Sequence, residues 1–183
     1  LKGIWIALFN GYQANFGVPL LDNLLSKGGM SSMLVTVWLI ISAMAFGGVL
    51  QKTLILESIF EILKKLIRGP GSAIMKSMAT CLGMNVITGD QYIAIVLPGR
   101  MYQAEFKRLN LSSLTLSRAL EDAGTISSPL IPWNTCGAYM SATLGVATIS
   151  YLPYVLFNLI NIVLAFAFAA LGWFIIRTKI VNG

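Results

Sequence analysis

Residues 151–176 run for 26 positions without an Asp, Glu, Lys or Arg, and Arg177 and Lys179 close the stretch. As a helix rising about 1.5 Å per residue it would reach roughly 39 Å, more than the ~30 Å hydrocarbon core of a bilayer. A second charge-free run, residues 33–50, would reach about 27 Å by the same arithmetic. The composition agrees: 56% of residues are hydrophobic and 11% charged, where soluble domains carry about 25% charged residues. Mean hydropathy is +0.77. These features predict an all-α integral membrane protein, a multi-span helical bundle occupying 1–183 as one transmembrane domain.

The formal charge of +6 is not a nucleic-acid footprint, because the basic residues sit between apolar runs, where topology signals belong. The chain opens inside an apolar run with no basic leader and cleavage site, so it reads as the later part of a longer transporter. Cys81 and Cys136 are far apart and there is no His. Zinc chemistry and Ser–His or Cys–His catalysis are therefore excluded, and the cysteines read as small buried residues. No cofactor is implied, and an enzyme is not expected.

Between the two clear spans, about 53–67 carries Glu57, Glu61, Lys64, Lys65 and Arg68 on one helical face and apolar residues opposite, the pattern of an interfacial helix. Residues 73–98 are apolar but interrupted by Gly83, Asn85, Gly89 and Asp90, and 119–148 by two carboxylates and two prolines. Both predict broken or re-entrant segments. Residues 51–76 hold five basic and two acidic side chains, and 100–118 four and one. Placing both on the cytoplasmic side with the tail makes 73–98 enter and return, and 119–148 cross once as a broken helix. The alternative exchanges those roles. Arg100 reads as a topology charge and Trp133 as a packing residue.

A carboxylate at bilayer depth costs at least about 2.5–3.5 kcal/mol, so Asp90, Glu121 and Asp122 are the candidate proton or cation carriers. A site that holds either a proton or a cation makes the two compete, which is the basis of exchange. The bland alternatives are a water-exposed turn for Asp90, and a helix start paired with Arg118 for Glu121 and Asp122. Pro129 and Pro132 break the helix and free carbonyls. Thr125, Ser127, Ser128, Asn134 and Thr135 supply hard oxygens around them, as broken helices do for Na⁺ or H⁺. Gly124 and Gly137 allow turns or close approach on either side.

The segments "GGMSSMLVTVWLIISAMAFGGVL", "GDQYIAIVLPGRMY", "LSRALEDAGTISSPLIPWNTCGAYM" and "LGVATISYLPYVLFN" resemble the C-terminal half of the NhaC family of sodium/proton antiporters. The resemblance implies Na⁺/H⁺ exchange by alternating access across a bacterial cytoplasmic membrane. It also implies one half of an inverted-repeat transporter whose N-terminal half is a missing partner. The bilayer is then a partner, nucleic acid is not, and homo-oligomers remain open. By the same resemblance, Asn134 and Thr135 of "PWNT" contribute to a transported Na⁺ site, with Asp90 and Asp122 near it. Relatives that exchange malate for lactate with Na⁺ and H⁺ share these motifs, and a non-transporting membrane fragment is the third reading.

Overall fold

The computed structural model describes residues 2–26, 28–53, 67–173 and 175–176. The amphipathic segment expected at about 53–67 lies almost wholly outside them. Among the described residues the regular structure is helical, with no β-strand. Residues 1–41 and 42–183 form two compact units.

In the first unit, α1 (Lys2–Asn10) and α2 (Pro19–Leu25) precede the start of α3 (Met30–Lys52). Pro19 opens α2, where a missing N–H costs nothing. The connection into α2 is tied by Asp22 Oδ1, which accepts from Phe16 N at 2.7 Å, and by Ser26 Oγ, which accepts from Ala14 N at 3.0 Å. Within α3, residues Met30–Leu50 are long and apolar enough to cross a bilayer.

The second unit is organised by a helical hairpin. α4 (Pro70–Thr88) and α5 (Gln91–Arg108) are joined through Gly89 and Asp90. Gly89 ends α4 at φ +64°, a left-handed conformation that a side chain disfavours. The two helices run antiparallel, with Thr80 Oγ1 and Tyr102 OH 2.8 Å apart and Met84 packed on Ala94. Pro98 lies buried inside α5 and cannot bond back to the Ala94 carbonyl. The Cys81 thiol donates to that carbonyl instead, at 2.9 Å. Lys107 and Arg108 close α5, where cations complement the helix dipole.

α6 (Ser113–Leu120) begins at Ser112, whose Oγ accepts from Leu114 N. It continues as a π-type turn (Glu121–Thr125) and a 3₁₀ turn (Ser128–Leu130). A tight turn at residues 131–134, closed by Asn134 N donating to the Ile131 carbonyl at 3.1 Å, follows before α7 (Thr135–Leu144). The core joins Ala73, Met78, Tyr102, Phe106, Leu116 and Ala123, bringing the hairpin and α6 together.

Residues 151–176 are not the straight helix their length and hydropathy lead one to expect. α8 (Thr148–Tyr151) and a 3₁₀ turn (Leu152–Tyr154) meet α9 (Leu156–Leu171) at an angle of 67°. Pro153 lies in the 3₁₀ turn, and Val155 leaves the helical region at φ −86°, ψ 52°, so the helix hydrogen bonds cannot pass through. Taken together, the two arms are long and apolar enough for a bent span.

Candidate functional site

The turn at the tip of the hairpin meets the break that follows α6. Thr135 N donates to the Gly89 carbonyl at 2.9 Å, and Trp133 Nε1 donates to the Val86 carbonyl at 2.7 Å. A Cβ on Gly89 would sit 3.0 Å from the Trp133 carbonyl oxygen, so glycine serves both the turn and the approach. Trp133 is 52% exposed. The packing role expected for it takes a surface form here: the residue lies against Gly89 and its indole N–H fastens the break to the hairpin.

Asn85, fully buried on α4, is the centre of the junction. Its Nδ2 donates to the Gly124 carbonyl at 2.6 Å and to Ser127 Oγ at 2.8 Å. Its Oδ1 accepts from Ser128 Oγ and from Asn134 Nδ2, both at 3.2 Å. Asn134 also donates to the Asn85 carbonyl and caps α7 by accepting from Cys136 N at 3.1 Å. Ser128 and Asn134 are as buried as Asn85, and Ser127 nearly so. Each polar group gains because each has a partner, and the same groups unpaired would be costly.

The break itself exposes carbonyls that a regular helix would use. Besides Gly124, the Ile126 carbonyl accepts from Asn158 Nδ2 at 2.8 Å and the Pro129 carbonyl accepts from Tyr151 OH. Pro129 lies within the 3₁₀ turn, and Pro132 lies in the turn beyond it. Gly124 is needed for close approach, because a Cβ there would meet Cys81 Sγ at 2.5 Å. Gly137 likewise packs on the Ile131 carbonyl.

Asp90 is buried at the hairpin tip and caps α5, its Oδ1 accepting from Ile93 N at 2.9 Å. Among the described residues it has no ion pair. Its charge complements the positive ends of two helices, α5 and the adjacent α7. The tip thus brings one carboxylate to the end of the helix pair whose break is bonded by the neutral Asn85 network. No group of three or more His, Cys, Asp or Glu side chains that could hold a metal ion is present among the described residues.

The other expected residues do not all gather there. Ser127 and Asn134 join the Asn85 network, and Thr135 touches the tip through its backbone. Thr125 is half-buried and makes no side-chain hydrogen bond among the described residues. Asp122 pairs with Arg118, Oδ2 to Nε, at 3.6 Å. It faces a separate cleft of about 50 Å³, lined also by Ile74, Met78, Ala165 and Phe168. Glu121 faces a different cleft, of about 350 Å³, with Arg100, Gln103, Ser113 and Ser117. The adjacent carboxylates thus serve different sides of their helix. Asn85, Asn158 and Tyr151 were not among the site residues that the sequence indicated. The available signal was the presence of asparagine in two apolar helices, Asn85 in α4 and Asn158 with Asn161 in α9.

The model of the Na⁺/H⁺ antiporter family matches residues 1–173. The Na⁺/H⁺ antiporter NhaC of Alkalihalophilus pseudofirmus is 35% identical over 92% of this chain and 37% of its own length. The arginine/ornithine antiporter ArcD of Halobacterium salinarum is 34% identical over 92% of this chain and 35% of its own. The malate-2H⁺/Na⁺-lactate antiporter of Bacillus subtilis is 32% identical over 93% of this chain and 36% of its own. The chain thus spans little more than a third of these curated relatives. No solved structure matches it. The resemblance read from the polar motifs is borne out over nearly the whole sequence, and the chain belongs to the Na⁺/H⁺ antiporter family.

Proposed function

We propose that this chain forms the C-terminal part of a secondary transporter that exchanges Na⁺ for H⁺ across the bacterial cytoplasmic membrane. The reading is carried by one observation: the hairpin tip at Gly89–Asp90 and the break at residues 126–134 meet around the buried Asn85 network. Na⁺ is held there by carbonyl, amide and hydroxyl oxygens near Asp90. Asp122, one helical turn before Ile126, is the second proton-carrying group. Protonation of either carboxylate lowers the attraction for Na⁺, so one ion leaves as the other arrives.

The membrane orientation follows from charge. The starts of α4 and α6 and the end of α9 lie together: Ser112 N donates to the Ile176 carbonyl at 3.0 Å, and Gly71 packs on the Ala169 carbonyl. Lys107, Arg108 and Arg118 lie toward this end, which faces the cytoplasm by the positive-inside rule. The α4–α5 hairpin enters from that side and returns, and its tip meets the broken α6–α7 crossing inside the bilayer.

A second reading, exchange of small carboxylates coupled to Na⁺ and H⁺, has its own support. One relative bears that name, and Arg100 lines a cleft large enough for a small organic anion. Both readings are tested in everted membrane vesicles carrying the complete protein, beside Asp90→Asn and Asp122→Asn variants. Na⁺ alone should collapse an imposed pH gradient in the parent and in neither variant. A requirement for malate or lactate would transfer the assignment to carboxylate exchange. Normal exchange by both variants would remove these carboxylates from the site.

A further inference from the structure

Among the described residues, one buried side-chain polar atom lacks a hydrogen-bond partner: Asn161 Nδ2, on α9. Its place follows from the packing of α9 against the end of α6. Asn158 Nδ2 donates to the Ile126 carbonyl, while at the far end of the same pair the Ile176 carbonyl accepts from Ser112 N and Thr115 Oγ1. The two segments therefore run antiparallel. Four residues back from Ile126 is Asp122, and three residues forward from Asn158 is Asn161. Counted from that contact, Asp122 and Asn161 fall at similar heights along the pair.

They also share a face. Asn158 meets the α6 extension directly, and Ala165, one turn beyond Asn161, lines the Asp122 cleft. Residues three and four apart on a helix lie over one another, so Asn161 is bracketed by two residues that both face residues 122–126. Ile160 and Val163, on the opposite side of α9, are exposed, while Phe157 lies at the exposed edge of the face that carries Asn161. The present partner of Asp122 is weakly held. The Arg118 contact is 3.6 Å long, with the two side chains 64% and 26% exposed. Beside it a cleft of about 50 Å³, lined by Asp122, Ala165 and Ala169, separates part of this face of α9 from α6.

We propose that Asn161 is a positioning residue for Asp122: its Nδ2–H receives the carboxylate when Asp122 turns off Arg118 toward the helix break. Asp122 then has two stations, a guanidinium at the cytoplasmic end and a neutral amide beside Asn158 and the Ile126 carbonyl. A neutral donor holds the ionised carboxylate without adding a positive charge that would repel Na⁺. This deepens the exchange reading and rests on Asp122 carrying an ion.

The test is Na⁺/H⁺ exchange by the complete protein in everted vesicles, with Na⁺ as the probe, for Asn161→Leu, Asn161→Ala, Asn161→Gln and Asp122→Asn. Leu and Ala lack the donor, and Ala cannot overpack. Both should raise the apparent KM for Na⁺ about tenfold, the effect of losing one hydrogen bond to a charged group. The maximal rate should stay within about twofold of the parent. Asn161→Gln, which keeps the amide, should recover most of the affinity. A merely structural asparagine makes the opposite forecast, since replacing an unpaired buried amide by Leu is neutral or stabilising. If KM is unchanged in both Leu and Ala variants while Asp122→Asn is inactive, the Asn161 assignment falls alone. If Asp122→Asn exchanges like the parent, the role of Asp122 falls and this assignment falls with it.

Discussion

The hairpin tip and the Asp122 cleft are two polar places in one helical unit, and they differ in how completely they are bonded. At the tip, Asn85, Ser127, Ser128 and Asn134 are buried and mutually hydrogen-bonded at 2.8 to 3.3 Å. In the cleft a carboxylate and a guanidinium stand 3.6 Å apart and partly exposed, and on the adjoining α9 the buried Asn161 Nδ2 has no partner. A saturated network holds one geometry because every alternative breaks bonds. An unsaturated one can exchange partners at little cost. In an exchanger the first suits ion coordination and the second suits a group that must move.

The contrast breaks most directly at Asn85. Asn85→Leu removes the donor to the Gly124 carbonyl and to Ser127, and the acceptor of Ser128 and Asn134. Some partners survive, since Ser128 Oγ also donates to the Gly124 carbonyl at 2.8 Å. The expected loss is about 2–5 kcal/mol, from buried groups left unsatisfied. Thermal denaturation of the complete protein in detergent should show a markedly lowered midpoint, and exchange should be lost with it. A variant as stable as the parent would mean that the tip is not the rigid place.

Gly89→Ala tests the same junction through its backbone. The left-handed φ of +64° and the 3.0 Å approach to the Trp133 carbonyl both oppose a side chain. The strain is about 1–2 kcal/mol for the conformation alone. A lower melting midpoint and reduced exchange should appear together, because the strain acts where α4 hands over to the Asp90 cap. Retained exchange at full stability would show that the tip tolerates displacement.

The two regions were also unequally legible. The breaks could be read locally: Gly89 before Asp90, and Pro129 and Pro132 among hydroxyls, follow rules that need only neighbouring residues. The pairing of the broken parts could not. Asn85 meets Gly124, Ser127, Ser128 and Asn134 across 39 to 49 positions, a separation that periodicity does not encode. Asn158, Asn161 and Pro153 were hidden inside the segment that most clearly announced a membrane span, because hydropathy averages over polar residues and is blind to direction. The division between Glu121 and Asp122 is a matter of helical phase. The π-type turn Glu121–Thr125 alters that phase, and the sequence carries no strong mark of where such a turn falls.

Trp133→Phe should have a smaller effect than either preceding change. The ring is half-exposed, so the substitution chiefly removes the 2.7 Å bond to the Val86 carbonyl. A loss of about 1 kcal/mol is expected, seen as only a small fall in the melting midpoint of the complete protein. The Thr135–Gly89 bond remains to hold the tip, so exchange should persist. Loss of exchange without loss of stability would assign the indole a direct part in ion passage.

Arg118→Gln carries the comparison to its other end. The guanidinium is 64% exposed and its contact with Asp122 is long. An ion pair of this kind contributes at most about 1 kcal/mol, so the melting midpoint should move by less than about 4 °C. Exchange is a different matter, since the variant removes one of the two stations between which Asp122 is taken to move. The carboxylate should then remain turned toward Asn161, and the apparent KM for Na⁺ should change while the fold does not. If Arg118→Gln instead destabilises the protein as much as Asn85→Leu, the cleft is as structural as the tip. The division between a rigid coordinating place and a mobile one would then be lost.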